Sequence, residues 1–279
     1  MDELEKKFIE KIYETVNRNC PEEVTISFSG GLDSSLLAKV CKDLSRKVTL
    51  LAVGFEGSHD LEQAKKTSEQ LKLPLIVGVI KEEQIENDLR HIANLIKFSN
   101  LAELEVALSF LYVAKTAVEN DIKNVATASG MDELFCGYEK YKEILKKEGE
   151  EGVNRAMIEE FSRAIKCREE QKKIMRIFGV EKIDPFLDSN FADFALKIPV
   201  KFKIKSPSDE ERKHIERKVA FQLRVPKEVV KKHKKAFQYG SGIHKTIEKL
   251  AKSRGMTKLE AKKMGHKGIK EAYIKSLKT

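Results

Sequence analysis

Ser29-Gly30-Gly31-Leu32-Asp33-Ser34-Ser35 decides how the chain folds. Before it runs Val24-Thr25-Ile26-Ser27-Phe28, a short stretch rich in β-branched residues that predicts a strand. After it, Leu36-Leu37-Ala38-Lys39-Val40 predicts the start of a buried helix. A strand, a glycine turn and a helix N-terminus together make an anion site. Paired glycines let backbone approach a ligand, and the unpaired N–H groups of the first helical turn favour phosphate. Ser29, Ser34 and Ser35 add hydroxyl donors. Asp33 would repel phosphate unless a cation stood between them, so its presence points to Mg²⁺.

Working outward, Leu4, Phe8, Ile12 and Val16 recur at helical spacing before the loop, up to Cys20-Pro21. Beyond it, Val48–Phe55 and Leu75–Ile80 are apolar runs of the kind buried in parallel sheets, and Asn124–Ala128 is a fourth. Helices are predicted between them, near 60–71, 82–96 and 102–119. This alternation predicts an α/β fold with an open, mostly parallel, doubly wound sheet. Ligands of such sheets bind at the carboxyl ends of the strands, where the loops 29–35, 53–55 and 127–133 converge. After residue 140 the strand pattern stops. The expected organisation is a nucleotide-binding core over 1–140, with its N-terminal helix, and a mainly helical, basic part over 141–279 completing the active site. In the latter, Ser208-Asp209-Glu210-Glu211 reads as a capping box opening a helix.

Composition narrows the function. The chain has 279 residues, 41% hydrophobic and 35% charged, with no apolar run approaching a membrane span and no secretory signal after Met1, so a cytoplasmic protein is expected. Cys20, Cys41, Cys136 and Cys167 form no C-x-x-C pair, which argues against zinc, iron–sulfur and thioredoxin-like roles. The net charge of +9 is uneven: residues 201–279 hold 24 Lys and Arg against 8 Asp and Glu, whereas the rest hold 29 against 36. No G-x-x-x-x-G-K-[ST] occurs, so γ-phosphate transfer is not the natural reading.

A second loop, Thr127-Ala128-Ser129-Gly130-Met131-Asp132-Glu133, follows the fourth predicted strand. Its Asp132 could face Asp33 across one Mg²⁺, each as a carboxylate ligand. Together the two loops resemble the synthetase domain of the asparagine synthetase family, within the ATP pyrophosphatases that carry an S-G-G-x-D-S loop. Further motifs follow in order: Ala52-Val53-Gly54-Phe55, Asp132-Glu133-Leu134-Phe135-Cys136-Gly137-Tyr138, Asp184-Pro185-Phe186-Leu187-Asp188, and Val225-Pro226 with Lys234, Phe237, Gly240 and Gly242.

The resemblance implies an adenine nucleotide alpha hydrolase-like fold and an amide-forming ligase that consumes ATP with Mg²⁺. A carboxylate attacks the α-phosphorus, pyrophosphate leaves, and ammonia or an amine displaces AMP from the acyl-adenylate. By that mapping Ser29, Gly30, Gly31, Asp33, Ser34 and Ser35 hold pyrophosphate. Val53, Thr127 and Ala128 line the nucleotide, Asp33 and Asp132 hold the metal, and Lys234 contacts the phosphates. Asp33, Asp132 and Lys234 are thus the catalytic candidates.

Three departures bear on the substrate. The family's glutaminase domain is not seen ahead of the loop, so nitrogen is expected from ammonia, an amine or a separate glutaminase partner. Ser129 stands where the family has a glutamate. The stretch Leu101-Ala102-Glu103-Leu104-Glu105 does not resemble the family's arginine-containing substrate segment, and Ile183-Asp184 stand where an arginine would precede P-F-L-D. Ser129, Glu103 and Glu105 therefore mark the region where the acyl substrate would sit. Two other readings remain: a tRNA-base-modifying ATP pyrophosphatase, suggested by the basic end but lacking an RNA-binding module, and a non-catalytic nucleotide-binding subunit. The oligomeric state, a homodimer included, is left open.

Overall fold

The computed structural model describes residues 2–231, 242–266 and 268–277. Its strands are β1 (Glu23–Ser27), β2 (Lys47–Gly54), β3 (Leu75–Val79), β4 (Asn124–Ala126) and β5 (Glu181–Ile183). They form one sheet in the order β3-β2-β1-β4-β5, and every pairing is parallel. The helices that connect and follow them are α1 (Glu3–Asn19), α2 (Leu32–Asp43), α3 (His59–Leu71), α4 (Ile85–Leu95), α5 (Leu101–Glu119), α6 (Met131–Leu134) and α7 (Lys140–Ile177). Beyond β5 come α8 (Ser189–Lys197), α9 (His214–Gln222), α10 (Lys227–Lys231), α11 (Ile243–Ser253), α12 (Lys258–Lys263) and α13 (Ile269–Leu277). No helix among the described residues is long and apolar enough to cross a membrane.

Successive side chains on a strand point to opposite faces, so an uninterrupted apolar strand feeds two cores. Val48, Leu50 and Ala52 of β2 join Val24 and Ile26 of β1 in a core with Phe8 and Ile12 of α1, Leu36 and Val40 of α2, and Val219 of α9. Leu51 and Val53 point the other way, to Leu104, Leu108 and Leu111 of α5, Leu89 of α4 and Ile247 of α11. The doubly wound, parallel architecture expected from the alternation of elements is what forms.

Two details differ from the expectation. The strand pattern does not stop at residue 140: β5 pairs with β4, Ala126 lying opposite Ile183. It has only three residues, two of them charged, so no apolar run betrays it. The helix expected from Ser208 begins instead at His214. The Asp209 carboxylate, rather than capping a helix, accepts from the backbone N–H groups of Lys205, Glu211 and Arg212 and bonds His214 Nε2 at 2.6 Å. Arg212 and Lys213 then adopt left-handed conformations, φ 49° and 52°, which a helix cannot include.

The sheet positions the site. Strand order reverses between β1 and β4, and ligands of such sheets sit outside the strand ends at that switch point. Ile26 of β1 pairs with Ala126 of β4, so the loops that follow the two strands emerge side by side.

Candidate active site

Past β1 the chain turns through Gly30, at φ 68°. A Cβ there would also lie 2.8 Å from the carbonyl oxygen of Gln63, so both the conformation and the close passage of α3 require glycine. Gly31 caps α2 without a side-chain bond, leaving the helix's first N–H groups directed at the space above the strand ends. Ser29 Oγ accepts from Gly31 N–H at 3.3 Å and lies 3.3 Å from Ser34 Oγ. Ser29, Gly30, Gly31, Asp33 and Ser34 all border one cavity of about 600 Å³. Ser35 is fully buried beneath it.

The loop after β4 forms the facing wall through Ala128, Ser129, Gly130, Asp132 and Glu133. Gly130, at φ 103°, packs so tightly that a Cβ would stand 2.7 Å from the Phe186 carbonyl oxygen. Glu133 is half-buried, and the loss of solvent around it pushes its carboxyl upward; Tyr138 Oη donates to it at 2.5 Å and partly offsets that rise.

Between the two loops stands Lys213, which the sequence reading missed. Its ammonium lies 2.5 Å from Asp33 Oδ1, 2.9 Å from Asp132 Oδ1 and 3.2 Å from Glu216 Oε2. Lys213 and Glu216 are both buried. Burial alone would lower the Lys213 pKa, but the charges of Asp33 and Glu216 outweigh it and raise it. The Glu216 carboxyl goes well above its usual range, through burial and the nearby Asp33 charge. Gly137 makes room for this cluster, because a Cβ would meet Asp132 Oδ1 at 1.9 Å and Lys213 Cε at 2.7 Å. A signal existed in the sequence. Glu216 and Arg217 share the helical spacing of buried Ala220, and charges on an apolar face at that spacing mark a buried ionic site beside which Lys213 stands.

Asp33 and Asp132 both contact the Lys213 ammonium, and hard carboxylate oxygens placed beside a helix N-terminus suit Mg²⁺, which binds through one or two carboxylates plus phosphate oxygens. The residues present therefore fit the metal that the two loops imply.

The other expected residues fall as follows. Val53 is buried, its side chain in the core against α5, so only backbone is offered at the end of β2. Thr127 lies just behind the cavity wall and bonds Asp184. Glu103 borders the cavity, with its carboxylate accepting from Ser99 N and Asn100 Nδ2 at the start of α5. Glu105 does not border the cavity: it is buried within α5 and pairs with His244 Nδ1 at 2.7 Å. Lys234 lies outside the described residues. Val106, Phe110 and Val113 of α5 and Arg163, Cys167 and Gln171 of α7 also line the cavity.

A family model described as asparagine synthase matches residues 7–163 and 146–269. A putative asparagine synthetase [glutamine-hydrolyzing] 1 of Methanocaldococcus jannaschii is 32% identical over 267 residues, covering 85% of this chain and 49% of that protein. The asparagine synthetase [glutamine-hydrolyzing] 1 of Bacillus subtilis is 32% identical over 148 residues, covering 52% of this chain and 23% of that protein. Among solved structures, NMN synthetase from Francisella tularensis aligns with 99% of this chain and 91% of its own, at a TM-score of 0.45 and 14% identity. The chain thus spans about half the length of the first of these relatives. With the family model matching over both loops and through the helices that bring Lys213 between them, the chain belongs to the asparagine synthase family.

Proposed function

We propose that the chain is an ATP-dependent ligase that activates a small-molecule carboxylate as its acyl-adenylate and converts it to an amide, releasing pyrophosphate and AMP. One observation carries this reading: two carboxylates from the loops of adjacent parallel strands, Asp33 and Asp132, share a single buried ammonium beside the N-terminus of α2. Family membership supports it. In the first step a carboxylate oxygen bonds to the α-phosphorus and the bond to the bridging oxygen of pyrophosphate breaks. In the second, nitrogen attacks the acyl carbon, the C–O bond to AMP breaks, and a proton leaves the nitrogen.

The chain's own groups bind and orient. Ser29, Ser34 and the first N–H groups of α2 cradle the pyrophosphate. Lys213 carries positive charge to the place where negative charge develops on the leaving group, and does so in a buried site where each contact is stronger than in water. Mg²⁺, held by Asp33 and Asp132, supplies further charge neutralisation there when bound. Lys234, by resemblance, reaches the phosphates. The nitrogen arrives as ammonia, as an amine substrate or from a separate glutaminase.

The test is to incubate the chain with ATP, MgCl₂, ammonium chloride and a panel of carboxylic acids, and to assay for pyrophosphate and AMP. Acid-dependent release of both, abolished in Asp33→Ala, is expected. Release of ADP and orthophosphate would contradict the proposal.

A further inference from the structure

Behind the facing wall of the cavity runs a chain of four polar side chains. Lys182 on β5 bonds Asp184 Oδ1; both side chains are almost completely buried. The Lys182 ammonium also lies 4.7 Å from the centre of the Phe110 ring, which borders the cavity. Thr127 Oγ lies 2.5 Å from the same Asp184 oxygen, and Ser129 Oγ lies 2.8 Å from Thr127 Oγ. Of the four, only Ser129 borders the cavity.

The direction of this chain follows from counting protons. Lys182 only donates. Asp184 Oδ1 accepts, from Lys182 and from Thr127. A hydroxyl has one proton, and Thr127 commits its own to Asp184. The contact between the two hydroxyls must then be donated by Ser129. The Ser129 N–H, 3.3 Å from Thr127 Oγ, points the same way. Even a protonated Asp184 preserves the order, because its Oδ2 has no partner among the described residues and can hold that proton. Ser129 has thus spent its proton inward and offers lone pairs to the cavity. Burying a lysine and an aspartate is costly unless both are paired, as Lys182 and Asp184 are.

We propose that the Lys182–Asp184–Thr127 chain holds the Ser129 hydroxyl as a hydrogen-bond acceptor facing the cavity, and that this acceptor seats the N–H of the attacking nitrogen, ammonia or a primary amine. Ser129 touches the nitrogen. Thr127, Asp184 and Lys182 are positioning residues. The inference rests on the ligase reading and adds to it the place where nitrogen enters. It also accounts for a serine at this position, since an acceptor fixed by its neighbours needs no charge of its own.

The test separates the two half-reactions, with ammonium chloride as the nitrogen probe and the acid panel as before. Exchange of labelled pyrophosphate into ATP reads adenylation without nitrogen. Amide formation against ammonium concentration reads the second step. In Ser129→Ala and Thr127→Val, the KM for ammonium should rise about tenfold more than exchange falls, the scale of one lost hydrogen bond. Thr127→Ser, which restores the hydroxyl, should return the KM close to that of the unaltered protein. An unchanged ammonium KM in Thr127→Val, or losses in exchange and ammonium use that match, would overturn the seat while leaving the ligase reading intact. If the unaltered protein shows no acid-dependent exchange with any acid, the ligase reading itself fails.

Discussion

Replacing Lys213 by methionine keeps the length of the stem and removes one charge from the centre of the site. The ammonium lies 2.5 to 3.2 Å from three carboxylates, on Asp33, Asp132 and Glu216. At an effective dielectric constant near 20, each such contact amounts to roughly 5–7 kcal/mol of gross attraction, most of it offset by the cost of burying the ions. Removing one partner exposes that cost, and breaking a buried pair destabilises by about 3–5 kcal/mol. Glu216 limits the loss: its carboxyl already lies well above the usual range, so it takes up a proton readily. At about 2–4 °C per kcal/mol, the expected fall in Tm is roughly 6–20 °C. Calorimetry at pH 7 without nucleotide measures it. Two companion measurements isolate the mechanism. The double variant Lys213→Met/Glu216→Gln should recover part of the loss, and added MgCl₂ should raise the Tm of Lys213→Met more than that of the unaltered protein. A Tm for Lys213→Met within about 2 °C of the unaltered protein would refute the view that this lysine neutralises the cluster.

Three further outcomes are expected. Gly30→Ala forces an L residue to φ 68° against the backbone of Gln63; strain of about 1–2 kcal/mol from the conformation alone should appear as a lower urea midpoint, with the crowding adding to it. Burial raises the Asp209 carboxyl, but hydrogen bonds from Lys205, His214 and Arg212 outweigh it and bring it down to about 2. Its folded pKa is thus below the unfolded value, so it contributes about 2 kcal/mol above pH 4, lost as pH falls through 2; urea titrations of Asp209→Asn and the unaltered protein should converge over that window. Burial pushes Lys203 down to about 8. The folded state therefore disfavours the charged lysine, at a cost of up to about 3 kcal/mol at pH 7 that is relieved between pH 8 and 10.5, and Lys203→Met should raise Tm at pH 7 by more than at pH 10.

How much of this was legible in the sequence depended on how far apart the interacting residues lie along the chain. β2 and β3 are contiguous apolar runs and β1 a short β-branched stretch, and the proposed phosphate cradle is local: Ser29, Gly30, Gly31 and the first turn of α2 are neighbours in sequence and need no tertiary contact to be recognised. That Asp33 and Asp132 approach one another also followed from topology, because parallel strands leave their carboxyl ends on the same edge. Lys213 is different. It lies 180 residues from Asp33, and the acidic cluster ahead of it imitates a capping box, so the turn that aims it inward reads as helix. Glu105 failed for the complementary reason: periodicity places it on a helix but does not say which face meets the cavity, and its partner, His244, arrives from α11. The acyl side of the site has the same character. Its wall is built from the loop after β4 and from α5 and α7, and the proposed orientation of the Ser129 hydroxyl depends on Asp184, 57 residues from Thr127. Phosphate recognition uses backbone and can be written in a short motif. In the proposed reaction, selection of the acyl group and the nitrogen would use side chains assembled across the sheet, so the half of the site proposed for ATP is carried by local pattern, and the half proposed for the reaction partners is carried by packing.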